Sequence, residues 1–318
     1  MPKAAPYFNK ASIESGPGVR MYTPDMAAKT TELVLKALDI APKDWRKLLD
    51  VSPAQLLDVQ SKFPPIPPHQ EKTKTGGITE PFPGGFGPVV DGVNLPSHPF
   101  DPSAPDVSRD KPLMVGWNED EYTFFAWQRG DTSGFDLDFE ALQAKLEPQY
   151  GTDTDAVIAT YRDAMPDASA VDIFVAVSSV TMMGLGSVDI AEKKARQNAA
   201  PVYLYHFGYK SEAIIPGTDY PLGTPHAMDI TFKFNNETPE QDIGFLSGNR
   251  VDRFIASHKM AELWATFAKT GTPAAVDVPQ WSAFDLNKRA SMRLDTECTL
   301  HYDRYHKELA MWRRIGRL

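Results

Sequence analysis

The stretch PLMVGWNEDE, Pro112 to Glu121, joins an apolar run to an abruptly polar one. Pro112 to Trp117 is apolar without alternation, the pattern of a short strand buried on both faces, as in a parallel sheet. The polar residues Asn118 to Glu121 follow at once, so an acid stands at the carboxyl end of that strand. A second run, PVYLYHF from Pro201 to Phe207, is aromatic and β-branched and also predicts a strand. The loop Gly208 to Pro225 then carries the chain to His226. Between the two strands the signals are helical. Asp138 caps a run containing Phe139, Leu142 and Leu146, a second helix covers about Asp155 to Ala164, and more helix runs through Ile173 to Ala199. Strand, helical crossover and strand together predict an α/β fold with a mostly parallel sheet flanked by helices. In such sheets functional groups collect on the loops beyond the carboxyl ends of the strands, where Glu121 and His226 are both expected.

Outward from this centre, KASIES (Lys10 to Ser15) predicts a short strand closed by the turn Gly16-Pro17-Gly18. Thr23-Pro24-Asp25 supplies an N-cap, a proline at the first helical position and an early acid, and Met26, Leu33, Val34 and Ala37 follow at helical spacing. Ser52-Pro53 repeats the signal. Residues 63–112 are rich in Pro and Gly, too broken for regular structure and too apolar for a simple linker, and predict a long ordered excursion within a single domain spanning 1–318. Towards the end, Ala256, Met260, Leu263, Trp264 and Phe267 mark a helix stopped by Gly271 and Pro273. Ser291 to Leu294 suggests a last strand, and Tyr305, Leu309 and Trp312 a closing helix.

Composition narrows the function. The 318 residues are 42% apolar and carry a formal net charge of −9, with no basic runs, which argues against nucleic acid and anionic membranes as partners. The apolar stretch near Ile173 to Val177 is short for a membrane span, and MPKAAPYFNK lacks the pattern of a signal peptide. The single cysteine, Cys298, cannot form an internal disulfide. His301, Asp303 and His306 fit no zinc spacing, and the glycines at 84–87 and 184–186 fit no nucleotide fingerprint, so no metal or cofactor is expected.

An acid followed in the chain by a histidine is the order found after the serine of an α/β-hydrolase, in which the histidine takes the serine proton and the carboxylate orients the imidazole. That order alone is weak evidence. The wording of the segments is more specific: SIESGPG, FGPVVDGVNLP, PLMVGWNEDEYTFF, PVYLYHF, PHAMDITFKF, ELWATFAKTGTP and PQWSAFD occur in the order of their counterparts in type B carboxylesterases, the group of cholinesterase-like enzymes. The resemblance covers nearly the whole chain. It implies the C-terminal part of an α/β-hydrolase fold, with Glu121 as triad acid, His226 as general base and Ser15 supporting the carboxylate from behind. It also implies a small-molecule carboxylic ester as substrate. The family commonly has Gly after the Asp-Glu pair and after the histidine, where this chain has Tyr122 and Ala227, and Glu where it has Asp229.

No G-x-S-x-G elbow and no glycine-rich oxyanion loop occurs in these residues. The resemblance places both in the N-terminal half of the fold, so the expectation is a chain without the N-terminal strands, inactive by itself and completed by that half as a partner. A catalytically dead cholinesterase-like binding or adhesion module is the alternative reading.

Overall fold

The computed structural model describes residues 1–15, 17–63, 86–238 and 244–318. Its strands are β1 (Ala11–Ile13), β2 (Leu113–Asn118), β3 (Val202–Phe207), β4 (Ser211–Ile214), β5 (Pro221–Gly223), β6 (Ala290–Leu294) and β7 (Thr299–Tyr302). The main sheet has the order β1-β2-β3-β6-β7, with the first four strands parallel and β7 antiparallel to β6. β4 and β5 form a separate antiparallel ribbon. The helices are α1 (Pro24–Ala37), α2 (Pro53–Ser61), α3 (Glu121–Arg129), α4 (Phe139–Tyr150), α5 (Thr154–Ala164) and α6 (Ala170–Ser179). They continue with α7 (Leu185–Arg196), α8 (Met228–Lys233), α9 (Gly244–Ser247), α10 (Arg253–Thr270) and α11 (His306–Arg314).

The continuous apolar run does what it predicts: all six residues of β2 are buried. Its pleat sends Leu113, Val115 and Trp117, with Val202 and Leu204 of β3, into a core shared with α4 to α7 and α11. Met114, with Tyr203, Tyr205 and Phe207, faces the opposite core against α8 and α10. A sheet covered on both faces fixes its register, because a slip of one residue would exchange the two sets of side chains. Gly116 is required here, since a Cβ would collide with the carbonyl and ring of Tyr205 on the adjacent strand.

The helix starts follow local chemistry. Thr23 Oγ1 accepts from Met26 N, Ser52 builds a capping box with Gln55, and Asp138 Oδ1 accepts from Ala141 N at 2.8 Å. The segment predicted from Ile173 begins earlier, at a Ser169–Asp172 capping box. A π-helical turn, Val180–Gly184, joins α6 to α7 where Gly184 packs on the Trp117 ring. The joined helix spans 27 residues and is apolar enough to cross a membrane, longer than Ile173 to Val177 alone suggests. Its apolar 18-residue window is nevertheless 72% buried inside the protein, as in a core helix.

The fold departs from expectation in four other places. The loop Gly208 to Pro225 contains the β4–β5 ribbon, β7 follows β6, and Pro42–Asp50 forms 3₁₀ turns. Glu121 does not sit in a loop but opens α3, a helix closed by Gly130 in the left-handed region at φ 64°. Of the Pro/Gly-rich excursion, 64–85 lies outside the described residues. Residues 86–112 hold one bridge, Tyr22 to Val89, and one 3₁₀ turn, Asp106–Ser108.

Candidate active site

β2 and β3 are neighbours and end together, so the segments that follow them meet at one edge of the sheet. Glu119 N donates to Phe207 O at 2.9 Å, continuing the ladder one residue past β2. Asp120 then ties this end to the approach of His226: its N–H donates to Thr224 O, and its carboxylate accepts from Thr224 N at 2.7 Å. Thr123 Oγ1 donates to Leu222 O at 2.8 Å, adding a third tie from the first turn of α3. Asp120 spends its remaining capacity on Lys210 and does not contact the imidazole.

With the two segments clamped, Glu121 and His226 meet. Glu121 is fully buried, and its Oε2 lies 2.6 Å from His226 Nδ1. Its other oxygen accepts from Asn118 N at 2.7 Å. The Asn118 amide reaches the far side, donating to Pro225 O at 2.8 Å and to Asp229 Oδ1 at 3.2 Å, so one side chain holds both the acid's strand and the histidine's loop. His226 is followed by Ala227, whose φ of 68° lies in the left-handed region. This is the position where the resembling family commonly carries glycine, and the backbone explains why.

Burial pushes the Glu121 carboxyl up, opposed by the hydrogen bonds from His226 and Asn118. Burial pushes the His226 imidazole down, but the hydrogen bond and charge of Glu121 outweigh it, and the ring titrates above its ordinary value. A carboxylate on Nδ1 fixes the tautomer that leaves Nε2 free to accept a proton.

The structure moves Ser15. It was expected behind the carboxylate, but its hydroxyl stands on the opposite nitrogen, with Oγ 3.2 Å from His226 Nε2 and no bond to Glu121. The physical reason is Glu14, the preceding residue. Its carboxylate accepts from Trp264 Nε1 and Ser12 Oγ, both at 2.7 Å, and pairs with Lys233, which turns the next residue towards the imidazole. Lys233 also pairs with Asp229 at 2.6 Å, so a Glu14–Lys233–Asp229 chain, buried at Lys233 and Asp229 and half-buried at Glu14, underlies the dyad. Sequence reading missed this chain, whose only local signal is the i, i+4 spacing of Asp229 and Lys233.

Of the aromatic residues after Glu121, Phe124 and Phe125 face the imidazole at centroid distances of 5.8 and 4.8 Å. Tyr122 instead packs edge-on against Phe174 at 5.0 Å. Among the described residues no group of three or more His, Cys, Asp or Glu gathers as a metal site: His306 pairs with Asp303, while His301 bonds Thr299.

A sequence model described as the carboxylesterase family matches residues 1–312. The chain belongs to that family. Among its curated relatives are the para-nitrobenzyl esterase of Bacillus subtilis, 28% identical over 95% of this chain and 56% of that protein, and the phenmedipham hydrolase of Pseudarthrobacter oxydans, 23% identical over 89% and 53%. A crystal structure of a Geobacillus stearothermophilus carboxylesterase superposes with a TM-score of 0.71 at 25% identity, covering 98% of this chain and 60% of that one. The chain therefore spans about half the length of the curated relatives it matches, and its sheet and flanking helices form part of an α/β-hydrolase fold.

Proposed function

We propose that this chain supplies the acid, Glu121, and the base, His226, of a serine carboxylesterase acting on small-molecule carboxylic esters, with the nucleophilic serine and the oxyanion donors carried by polypeptide outside these 318 residues. The observation that carries this reading is the 2.6 Å contact between the buried Glu121 carboxylate and His226 Nδ1, with Nε2 turned away from it. A carboxylate fully removed from water costs several kcal/mol unless it is paired and hydrogen-bonded, and partnered, perturbed groups of this kind cluster at functional sites. The family membership and the chain order of acid and histidine support the same chemistry.

In that chemistry His226 Nε2 takes the serine proton as the serine oxygen attacks the ester carbonyl, then returns it to the departing alcohol, while Glu121 stabilises the imidazolium. Phe124 and Phe125 beside the ring offer an apolar wall to an acyl or alcohol group. Strand β1 is at the sheet's edge, and its outer backbone groups are the place where a complementing segment would add a strand.

The test is complementation. The chain is mixed with the N-terminal half of a related esterase and assayed on a p-nitrophenyl ester of a short acid. Neither half alone is expected to turn over repeatedly, the mixture is, and His226→Ala in this chain removes the activity. Repeated turnover by this chain alone, lost on His226→Ala, overturns the division of the machinery. Activity of the mixture that survives His226→Ala overturns the role of His226.

A further inference from the structure

Ser15 is exposed, and its hydroxyl is the partner of His226 Nε2 among the described residues. The three groups thus form a continuous relay within this one chain: Ser15 Oγ to Nε2 at 3.2 Å, and Nδ1 to Glu121 at 2.6 Å. A serine within hydrogen-bond reach of a base that is itself oriented by a carboxylate is the arrangement that activates a hydroxyl. From the juxtaposition of Ser15, His226 and Glu121 we infer that Ser15 is a covalent acceptor site, taking one acyl or phosphonyl group from an activated ester or fluorophosphonate.

The inference rests on the dyad reading above and adds a residue to it. Ser15 is held in place from two sides. Glu14 is anchored to Trp264, Ser12 and Lys233, and Pro17 is buried against Gly186 at the start of α7. The steps balance with no further reagent. Ser15 Oγ gives its proton to Nε2 and bonds the carbonyl carbon or phosphorus. The carbon–oxygen or phosphorus–fluorine bond breaks, and the alcohol leaves with the proton returned from Nε2, or fluoride leaves with the proton taken up by solvent. With no G-x-S-x-G elbow and no glycine-rich oxyanion loop in the sequence, the acyl group leaves slowly, so the expected chemistry is one group per chain and not turnover.

The intact chain is incubated with a fluorophosphonate probe, and the adduct is counted by whole-protein mass spectrometry and mapped by peptide sequencing. One adduct per chain is expected, on Ser15, absent in Ser15→Ala, and formed on the order of a hundredfold more slowly in His226→Gln. An unlabelled Ser15, a label on another serine, or Ser15 labelled equally fast in His226→Gln overturns the inference. The Nδ1 proton between His226 and Glu121, read by low-field proton NMR, separates the two failures. If that proton persists in the wild-type chain while Ser15 stays unlabelled, this inference alone fails. If the proton is absent, the dyad reading fails first.

Discussion

Glu119 and Glu121 are two residues apart at the end of one strand, yet they sit in opposite electrostatic surroundings. Glu119 is surrounded by cations: Arg293 Nε at 3.1 Å, Arg304 Nη2 at 3.2 Å and Lys210 Nζ at 3.2 Å. Burial alone would push its carboxyl up, but Lys210, the nearby His206 and the two arginines bring it down to about 2. Among the described residues Glu121 has no arginine or lysine bonded to it. It has one imidazole and one backbone N–H, and its carboxyl is pushed up. Two arginines and a lysine satisfy a carboxylate so completely that it only holds structure together. A lone imidazole leaves the charge of the pair able to move, which acid–base chemistry needs.

The comparison is broken most severely at Glu121. Glu121→Gln removes the charge that orients and stabilises His226, and the rate of the complemented enzyme on a p-nitrophenyl ester is expected to fall by roughly ten-thousandfold, the scale known for neutralising a triad acid. Glu119→Gln is the contrasting change. It leaves Lys210, Arg293 and Arg304 facing one another, and the midpoint of chemical denaturation should report a loss of about 3 kcal/mol. The esterase rate, measured below that midpoint, should change by less than about threefold if Glu119 has no part in the chemistry.

Glu119 and His226, the partner of Glu121, also predict opposite pH trends. A carboxyl depressed on folding contributes stability that is present above its unfolded value, near 4.5, and lost as the pH falls towards about 2. The stability gap between wild type and Glu119→Gln should therefore close on acidification across that window. His226 is raised on folding, so its contribution is fully present below about 6.5 and is lost as the pH rises through the folded value. The gap between wild type and His226→Gln should narrow from about pH 6.5 upward. Parallel pH trends in the two variants would remove the distinction between the sites.

Much of this geometry is legible in the sequence, and the remainder is hidden for physical reasons. The apolar run of β2 and the aromatic run of β3 are unambiguous because a sheet covered on both faces demands continuous apolar sequence. Thr23 and Ser52 announce their helices through local capping chemistry. The β4–β5 ribbon and β7 are not legible: Ser211–Ile214 and Thr299–Tyr302 are mostly exposed or half-buried and carry no clean alternation. The Glu14–Lys233–Asp229 chain is closed by residues more than two hundred positions apart, beyond any pattern in a window. The same distance hides which nitrogen of His226 meets Ser15, which is settled by where Glu14 is anchored.

The smallest effects sharpen the account of how His226 is presented. Asn118→Ala removes the amide that links Pro225 and Asp229 to the strand of Glu121, and should lower the complemented rate by about tenfold through a less well-held imidazole. Ala227→Gly relieves a left-handed alanine while loosening the unfolded chain, for a net gain of about 0.5–1 kcal/mol in the denaturation midpoint.

The direct test of the whole account is the titration of the His226 ring by NMR in wild type and in Glu121→Gln. The ring is expected to titrate above 6.5 in the wild-type chain, and to drop below that value in the variant, where burial remains and the carboxylate charge is gone. A ring that titrates at the same pH in both chains would contradict the pairing on which the esterase reading stands.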